Sequence, residues 1–196
     1  GLAQSLLCDQ RDERELNPCL TCESCSQIAA GTHPDVDVVG KPAEKTSIPI
    51  EAFIGDRDHR NREGLCHRIA LKPAHGLRRI AIINDADHLN VESANCLLKT
   101  LEEPPANAVI ILIGTSLQRQ LPTIRSRCQT VRFGGLDTEF VRDHLVKEGL
   151  SEEVAEQAAQ LADGSLDLAH EFADPERTEF RTELWSTLGR SEAIRS

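Results

Sequence analysis

The chain has 196 residues, carries a formal net charge of −10, and is 39% hydrophobic, which suits one medium-sized domain or a domain with a small second one. The acidic balance argues against a stand-alone DNA-binding module, because affinity for phosphates depends on clustered Lys and Arg. No apolar run approaches the roughly 20 residues of a membrane span, and no secretory leader opens the chain, so we expect a cytoplasmic protein without a membrane partner.

The first seven residues have the character of the middle of a helix. No N-capping residue precedes them, and Leu2 and Leu6 fall on one helical face. The chain also contains no Met. We therefore expect that further sequence precedes Gly1.

Four of the seven cysteines are grouped at Cys8, Cys19, Cys22 and Cys25. Two residues between cysteines let a tight turn direct both sulfurs at one ion, and four thiolates without an open position suit structural zinc. Disulfides are one alternative, although the odd count weighs against them. An iron–sulfur cluster is another, although its fourth Cys normally lies just downstream, before a proline. We predict a zinc module over residues 8–25 and expect the remaining cysteines to be packed in apolar surroundings: Cys66, Cys96 and Cys128.

Short apolar runs predict four buried strands, at residues 36–39, 80–83, 109–113 and 130–133. Their β-branched residues are nearly continuous, as in strands covered on both faces. A helix is predicted between the second and third runs, from its N-cap Asn90 to Pro104, because apolar residues recur there with helical spacing. Strands that alternate with helices predict a parallel α/β sheet.

The character of the sequence changes after Gly134 and Gly135. No strand-like run follows, and helical patterns rich in Leu and Ala occupy residues 140–147, 152–162 and 179–188. We therefore predict an α/β core over residues 1–134 and a small all-helical domain over residues 135–196.

A parallel sheet of this kind often carries a nucleotide site at the carboxyl ends of its strands. Asp85 ends the second run, where P-loop ATPases place a magnesium-binding carboxylate. The next residue is Ala86 rather than a water-activating Glu, and strand alternation predicts that Asp87 points elsewhere. The P-loop pattern G-x-x-x-x-G-K-[ST] occurs nowhere in the sequence, so the residues present do not make a hydrolytic site.

Three features together resemble one protein family. Leu-Leu-Lys-Thr-Leu-Glu-Glu-Pro-Pro at residues 97–105 follows the acidic strand end, Leu-Pro-Thr-Ile-Arg-Ser-Arg-Cys at residues 121–128 follows the next strand, and the four-cysteine module precedes both. In this order they resemble the AAA+ clamp-loader subunits of bacterial DNA polymerase III. The resemblance implies an AAA+, P-loop NTPase-like core truncated at its N-terminus, a zinc module and a helical lid, with the family's collar domain beyond Ser196.

Within that family the sequence is more similar to the delta-prime type than to the gamma/tau ATPases. Residues 31–35, 48–50 and 84–88 carry this similarity. Where the ATPases have Asp-Glu, this chain has Asp85-Ala86, and Asp167 stands where the lid normally supplies a nucleotide-sensing arginine. Thr115 matches the family's first sensor position, so Asp85 and Thr115 are expected to be remnants of a nucleotide site.

The resemblance also implies a role for Arg127, in the triplet Ser-Arg-Cys at residues 126–128. It would be an arginine finger that reaches the ATP and Mg²⁺ of a neighbouring subunit, the alternative being an ion pair within its own domain. The implied partners are the gamma/tau and delta subunits and, through the complex, the sliding clamp and primed DNA. The chain alone would not hydrolyse ATP. Two other functions stay open: an ATP-hydrolysing gamma/tau-type subunit, and a zinc-stabilised interaction module.

Overall fold

The computed structural model describes residues 1–75, 77–175, 177 and 180. The chain divides into two compact units between Thr130 and Val131. The predicted helical stretch at residues 179–188 lies, apart from Phe180, outside the described residues. No helix in the described part of the chain is both long and apolar enough to cross a membrane.

A three-stranded parallel sheet lies at the centre of the first unit. Its strands are β1 (Val36–Val39), β2 (Arg79–Ile83) and β3 (Ala108–Leu112), in that order across the sheet. In register, Ile80 lies between Val36 and Val109. The central strand β2 is buried on both faces, which is why its sequence is continuously apolar rather than alternating. The first three predicted strands and their parallel arrangement are confirmed.

The fourth predicted strand, at residues 130–133, is wrong. These residues form no strand, and the side chains of Val131 and Phe133 are 66% and 93% exposed. Strand geometry is stabilised by hydrogen bonds to a neighbouring strand, and the three-stranded sheet does not include this segment. The composition of this run is typical of a strand, but the run has no strand to pair with among the described residues and therefore does not form one.

Helices cover both faces of the sheet. On one face, Ala3 and Leu7 of an N-terminal helix pack with Ile80, and on the other Phe53, Leu65 and Leu97 form a larger core with Ile83. The helices of this unit are α1 (Leu2–Leu7), α2 (Glu23–Ala29), α3 (Glu51–Ile54), α4 (Leu65–Arg68), α5 (Val91–Glu102) and α6 (Pro122–Arg125), with 3₁₀ turns at Glu13–Glu15 and Ala86–His88.

The prediction of α5 is confirmed at both ends. The side chain of Asn90 accepts a hydrogen bond from the N–H of Ser93 at 2.8 Å, as an N-cap does. The helix ends at Glu102, and Glu103 leaves helical geometry (φ −125°, ψ 71°) immediately before Pro104.

A buried ionic network stabilises the start of β2. The side chain of Arg79 is 10% exposed; its Nη2 donates to the carbonyl of Pro34 at 3.0 Å and lies 3.5 Å from Oδ2 of Asp37. Asp35, which is fully buried, accepts hydrogen bonds from the N–H groups of Ala74 and His75. Charges at such depth are retained only when they are paired.

The second unit is helical, with α7 (Thr138–Lys147), α8 (Glu152–Leu161) and α9 (Leu166–Ala173). Its core combines Val141 and Leu145 with several alanines, whose small side chains allow the helices to approach closely. Gly164 has φ +78°, and a Cβ there would lie 2.5 Å from backbone atoms of Leu136, so the turn before α9 requires glycine. The helices predicted at residues 140–147 and 152–162 are confirmed.

Candidate functional site

The sulfur atoms of Cys8, Cys19, Cys22 and Cys25 all lie within 4.8 Å of one another. A tetrahedral zinc ion with Zn–S bonds of about 2.3 Å would place its sulfur ligands about 3.8 Å apart. All seven cysteines of the chain are free, so the disulfide alternative is not realised. The four sulfurs therefore fit one tetrahedral metal ion.

Backbone N–H groups donate to three of these sulfurs. The N–H of Cys19 donates to Cys8 at 3.5 Å, that of Cys22 to Cys19 at 3.2 Å, and that of Cys25 to Cys22 at 3.4 Å. Cys22 is also the N-cap residue of α2, so the same side chain starts the helix and joins the cluster. Such donors favour the negatively charged thiolate, which is the form that binds metals.

The thiols differ in acidity because their surroundings differ. Hydrogen bonds from the backbone of Thr21 and Cys22 lower the pKa of Cys19 to about 6, and those from Cys19 and Gln10 lower the pKa of Cys8. Burial raises the pKa of Cys25 to about 12, because a buried thiolate is stable only with a positive charge nearby, and the side chain of Cys22 raises the pKa further. A divalent cation at the centre of the four sulfurs would supply that charge, so the donor chemistry also fits a metal such as zinc.

A second layer of contacts holds the two ends of the cysteine segment together. Asp9, next to Cys8, accepts hydrogen bonds from the N–H and the hydroxyl of Ser24 at 3.2 and 2.8 Å. These hydrogen bonds from Ser24 hold the pKa of Asp9 below its ordinary value. Gln4 of α1 donates to the carbonyl of Cys25 at 3.1 Å. The cluster is thereby tied to the helix that covers one face of the sheet.

At the carboxyl end of the sheet, Thr115 is hydrogen-bonded to Asp87. Its N–H and hydroxyl donate to Oδ2 of Asp87 at 2.7 and 2.8 Å, and the N–H of Ser116 adds a third bond at 3.2 Å. Oδ1 of Asp87 accepts from the Gln120 amide at 2.7 Å. A Cβ on Gly114 would lie 2.5 Å from Oδ1, so a larger residue there would displace the Asp87 carboxylate. Partial burial alone would raise the pKa of Asp87, but the hydrogen bonds from Thr115, Gln120 and Ser116 lower it overall.

Asp85 has different surroundings. It is exposed, has φ +54°, and accepts one long hydrogen bond, from the N–H of Lys41 at 3.4 Å. Ala86 is 2% exposed and packs in the core. Thr115 is therefore hydrogen-bonded to Asp87 and not to Asp85. Strand alternation had predicted that the Asp87 side chain points away from this site. Strand alternation misplaced Asp87 because the chain leaves strand geometry at Asp85 and enters a 3₁₀ turn.

Arg127 lies just beyond α6, and its guanidinium is ion-paired with Glu102 at the end of α5. Its Nε and Nη2 donate to Oε1 of Glu102 at 2.9 and 2.5 Å. Its Nη1 donates to the carbonyl of Thr123 at 2.8 Å and to the hydroxyl of Ser126 at 3.1 Å. The Arg127 side chain remains 31% exposed. This is the ion pair within its own domain that the sequence analysis gave as the alternative to an arginine finger. The Arg127 side chain nevertheless still reaches solvent.

Asp167 lies in the first turn of α9, two residues after the N-cap Ser165. A carboxylate at a helix N-terminus is stabilised by the helix dipole, which gives Asp167 a local structural role. The sequence assigned no functional role to Asp87 or Glu102, although Glu102 lies within the motif at residues 97–105. Only the contacts with residues far along the chain distinguish them from solvated carboxylates.

Comparison with known proteins identifies the family. The chain matches the family described as "DNA polymerase III, delta subunit" over residues 1–137. The chain belongs to this family. It is 30% identical to the DNA polymerase III subunit delta' of Bacillus subtilis over 93% of its length and 51% of that protein's. It is 35% identical to the delta' subunit of Pseudomonas aeruginosa over 64% of its length and 35% of that protein's.

The resemblance to delta-prime clamp-loader subunits is thus confirmed, and the chain spans about half the length or less of these curated relatives. It is also 35% identical to the tau subunit of Salmonella typhimurium, over 76% of its length and 22% of that protein's.

Solved structures confirm the fold class. A gamma-subunit-related protein of DNA polymerase III from Thermotoga maritima aligns with a TM-score of 0.53 and 27% identity, over 75% of this chain and 46% of that protein. A RuvB from the same organism aligns with a TM-score of 0.50 and 13% identity, over 76% of this chain and 47% of that one, which speaks for the fold alone. The AAA+-like parallel sheet with helices, inferred from the motifs, is the architecture of these neighbours.

Proposed function

We propose that the protein to which this chain belongs is a non-hydrolysing subunit of the DNA polymerase III clamp loader. In this role it offers Arg127 to the ATP site of a neighbouring subunit. The observation that carries the proposal is the combination, in one unit, of a solvent-accessible Arg127 with an Asp85 that lacks a catalytic Glu beside it. An arginine finger that acts on a neighbouring subunit must be accessible to solvent. It does not need a hydrolytic site in its own subunit.

The surroundings of Asp85 and Thr115 support the absence of hydrolysis. Thr115 has its hydroxyl committed to Asp87, which would have to be released before a phosphate could be contacted. Ala86 offers no group to activate water, and Asp167 places a negative charge in the lid segment where the family's ATPases have a cation. We assign Asp85 and Thr115 as remnants of a nucleotide site.

The chemistry proposed for Arg127 is electrostatic. Phosphoryl transfer spreads negative charge over the γ-phosphate oxygens, and a guanidinium fork presents several N–H donors to that charge. ATP and Mg²⁺ would be held by the neighbouring subunit, so this chain contributes one side chain and no cofactor to the reaction. Fixing the position of that side chain is the task of α5 and α6.

We propose that Cys8, Cys19, Cys22 and Cys25 bind one structural zinc ion. Four sulfur ligands leave no open position for a substrate or for water, so the ion would have no catalytic part. When bound, it would hold the segment before α2 against α1, which lies on one face of the sheet. Its contribution would be rigidity in the unit that carries Arg127.

The names of the relatives support the proposed assembly with other clamp-loader subunits. We propose gamma/tau and delta subunits as direct partners, the sliding clamp and primed DNA as partners of the assembled complex, and the cytoplasm as its location. Residues 1–134 would be the AAA+ core fragment and residues 135–196 the lid.

The decisive test compares ATP turnover by the reconstituted clamp loader, built with the full-length protein, before and after Arg127→Ala. Removal of the finger is expected to slow hydrolysis at the site it serves by about 10³-fold or more, so the total rate falls by the share of that site. Arg125→Ala is the matched control, since Arg125 is exposed two residues away and makes no side-chain hydrogen bond or ion pair within the described residues. Equal rates for the wild type and Arg127→Ala complexes would refute the proposal.

The gamma/tau-type alternative is tested with the isolated full-length protein. Titration with ATP and Mg²⁺ is expected to yield no phosphate release. Steady release that disappears in Asp85→Ala would reassign the protein as a motor subunit. The third alternative, a zinc-stabilised interaction module, predicts that neither Arg127→Ala nor nucleotide changes any property of the complex.

A further inference from the structure

Glu102 determines where the guanidinium of Arg127 lies. One oxygen of Glu102 accepts hydrogen bonds from both Nε and Nη2 of Arg127. The Nη1 group of Arg127 donates to the carbonyl of Thr123 and the hydroxyl of Ser126. A long, flexible side chain is thereby held from two sides, by the end of α5 and by the last turn of α6. One hydrogen of Nη2 is left without a partner among the described residues.

The position of Glu102 is unfavourable without Arg127. It is the last residue of α5, and the C-terminus of a helix carries partial negative charge from its unpaired carbonyls. A carboxylate there is repelled by the helix, so it gains most from a nearby cation. Arg127 is the cation that pairs with it in the described part of the chain. The two side chains therefore order each other.

We propose that Glu102 is a positioning residue for the arginine finger: it holds the Arg127 guanidinium at the end of α5, with an N–H edge directed to solvent, before a neighbouring phosphate is met. This inference rests on the proposed function of Arg127. Glu102 does not touch the nucleotide in this role; it acts through Arg127. The benefit is that little conformational freedom remains to be lost when the finger engages.

A holding role agrees better with the exposure of the pair than a blocking one does. Glu102 is 49% exposed and Arg127 31% exposed, so water screens their attraction. An ion pair of this kind restricts rotamers but yields readily to a more highly charged phosphate. A latch that withheld Arg127 from ATP would need a buried pair that is costly to open.

The test uses the reconstituted clamp loader with the full-length protein and measures kcat and KM for ATP. Glu102→Ala is expected to lower turnover at the site served by Arg127 by about 2- to 12-fold, the effect of one long side chain that is no longer immobilised. KM for ATP should stay unchanged, because the nucleotide is held by the other subunit. Glu102→Gln keeps a carbonyl oxygen for Nε and Nη2 and should recover part of the loss. Glu103→Ala is the control, since Glu103 makes no ion pair within the described residues.

The double variant separates positioning from a general structural effect. If Glu102 acts only through Arg127, then Glu102→Ala has no further effect on turnover once Arg127→Ala is present. An equal loss in both backgrounds would overturn the inference, as would faster turnover in Glu102→Ala, which would make the pair a latch. If Arg127→Ala alone has no effect, the proposed function fails. If Arg127→Ala slows turnover and Glu102→Ala does not, only the role of Glu102 is lost.

Discussion

Replacing Asp87 with alanine removes the side chain that organises the segment after β3. In the native structure its carboxylate accepts four hydrogen bonds, from the N–H and hydroxyl of Thr115, the N–H of Ser116 and the amide of Gln120. The hydroxyl and the amide can turn toward water when the carboxylate is lost. The two backbone N–H groups are fixed by the chain; that of Thr115 is exposed to water, and that of Ser116 is partly buried.

The expected loss of stability follows from those two groups. A partly buried backbone donor that loses a charged acceptor costs about 1 to 1.5 kcal/mol, and an exposed donor costs less because water replaces the acceptor, so Asp87→Ala should lower the free energy of unfolding by about 1 to 2 kcal/mol. Asp85→Asn is the matched control, because Asp85 is exposed and accepts a single hydrogen bond of 3.4 Å, and Asn tolerates its φ of +54° as Asp does. Its loss should stay within about 0.5 kcal/mol.

The measurement is urea denaturation of the full-length protein, followed by circular dichroism between pH 7 and pH 3. The pKa of Asp87 in the folded state lies below its ordinary value of 3.8, so the folded state binds fewer protons than the unfolded state in that range. The contribution of Asp87 is therefore complete above about pH 4 to 5 and is lost as the pH falls through the folded-state pKa. Acid also protonates other titratable groups, but it does so in every variant, so the difference between variants isolates Asp87.

Two results would refute this reasoning. One is equal losses for Asp85→Asn and Asp87→Ala at pH 7, which would mean that the hydrogen-bond network contributes nothing beyond a surface carboxylate. The other is a difference between wild type and Asp87→Ala that grows as the pH falls from 5 to 3, which has the wrong sign for a carboxyl group whose pKa is lowered in the folded state.

Three further predictions concern other parts of the chain. Purified full-length protein is expected to contain one zinc ion by elemental analysis; Cys19→Ser should reduce that content, whereas Cys66→Ser should not, and equal contents would contradict the four-sulfur site. Gly164→Ala should lower the free energy of unfolding of the helical unit in thermal denaturation. The loss should be about 1 to 3 kcal/mol from backbone strain, plus the cost of the clash with Leu136. Gly149→Ala, at φ +102° with open space around the new Cβ, should show the strain without the clash. Arg79→Met should lower the free energy of unfolding, measured by urea denaturation, by about 3 to 5 kcal/mol. The loss should lie near the lower end of this range, because Asp35 keeps its backbone donors. Arg78→Met, which breaks the half-exposed pair with Glu13, should cost about 0 to 1 kcal/mol, and equal losses for the two arginines would show that burial does not matter here.

Much of the fold could be predicted because its signals are local. The apolar runs of β1, β2 and β3 and the helical spacing of α5 depend on residues a few positions apart, and capping residues such as Asn90 act within one turn. The cysteine cluster is nearly as local, since three of its members lie within seven consecutive residues, 19–25. Residues 130–133 meet the same local condition for a strand and form none, because pairing depends on a neighbour that a local pattern does not contain.

The candidate site likewise has features that the sequence determines and features that only the tertiary structure determines. By itself, the sequence determined the grouping of the four cysteines, the lack of a Glu after Asp85, and Arg127 as the arginine to consider. The tertiary structure alone decided that Thr115 bonds to Asp87 and that Arg127 is held by Glu102. These partners lie 28 and 25 positions apart along the chain. The turn at residues 85–88 and the packing of α5 beside α6 bring them together, because hydrogen bonds and ion pairs act over a few ångströms and are set by which elements pack side by side.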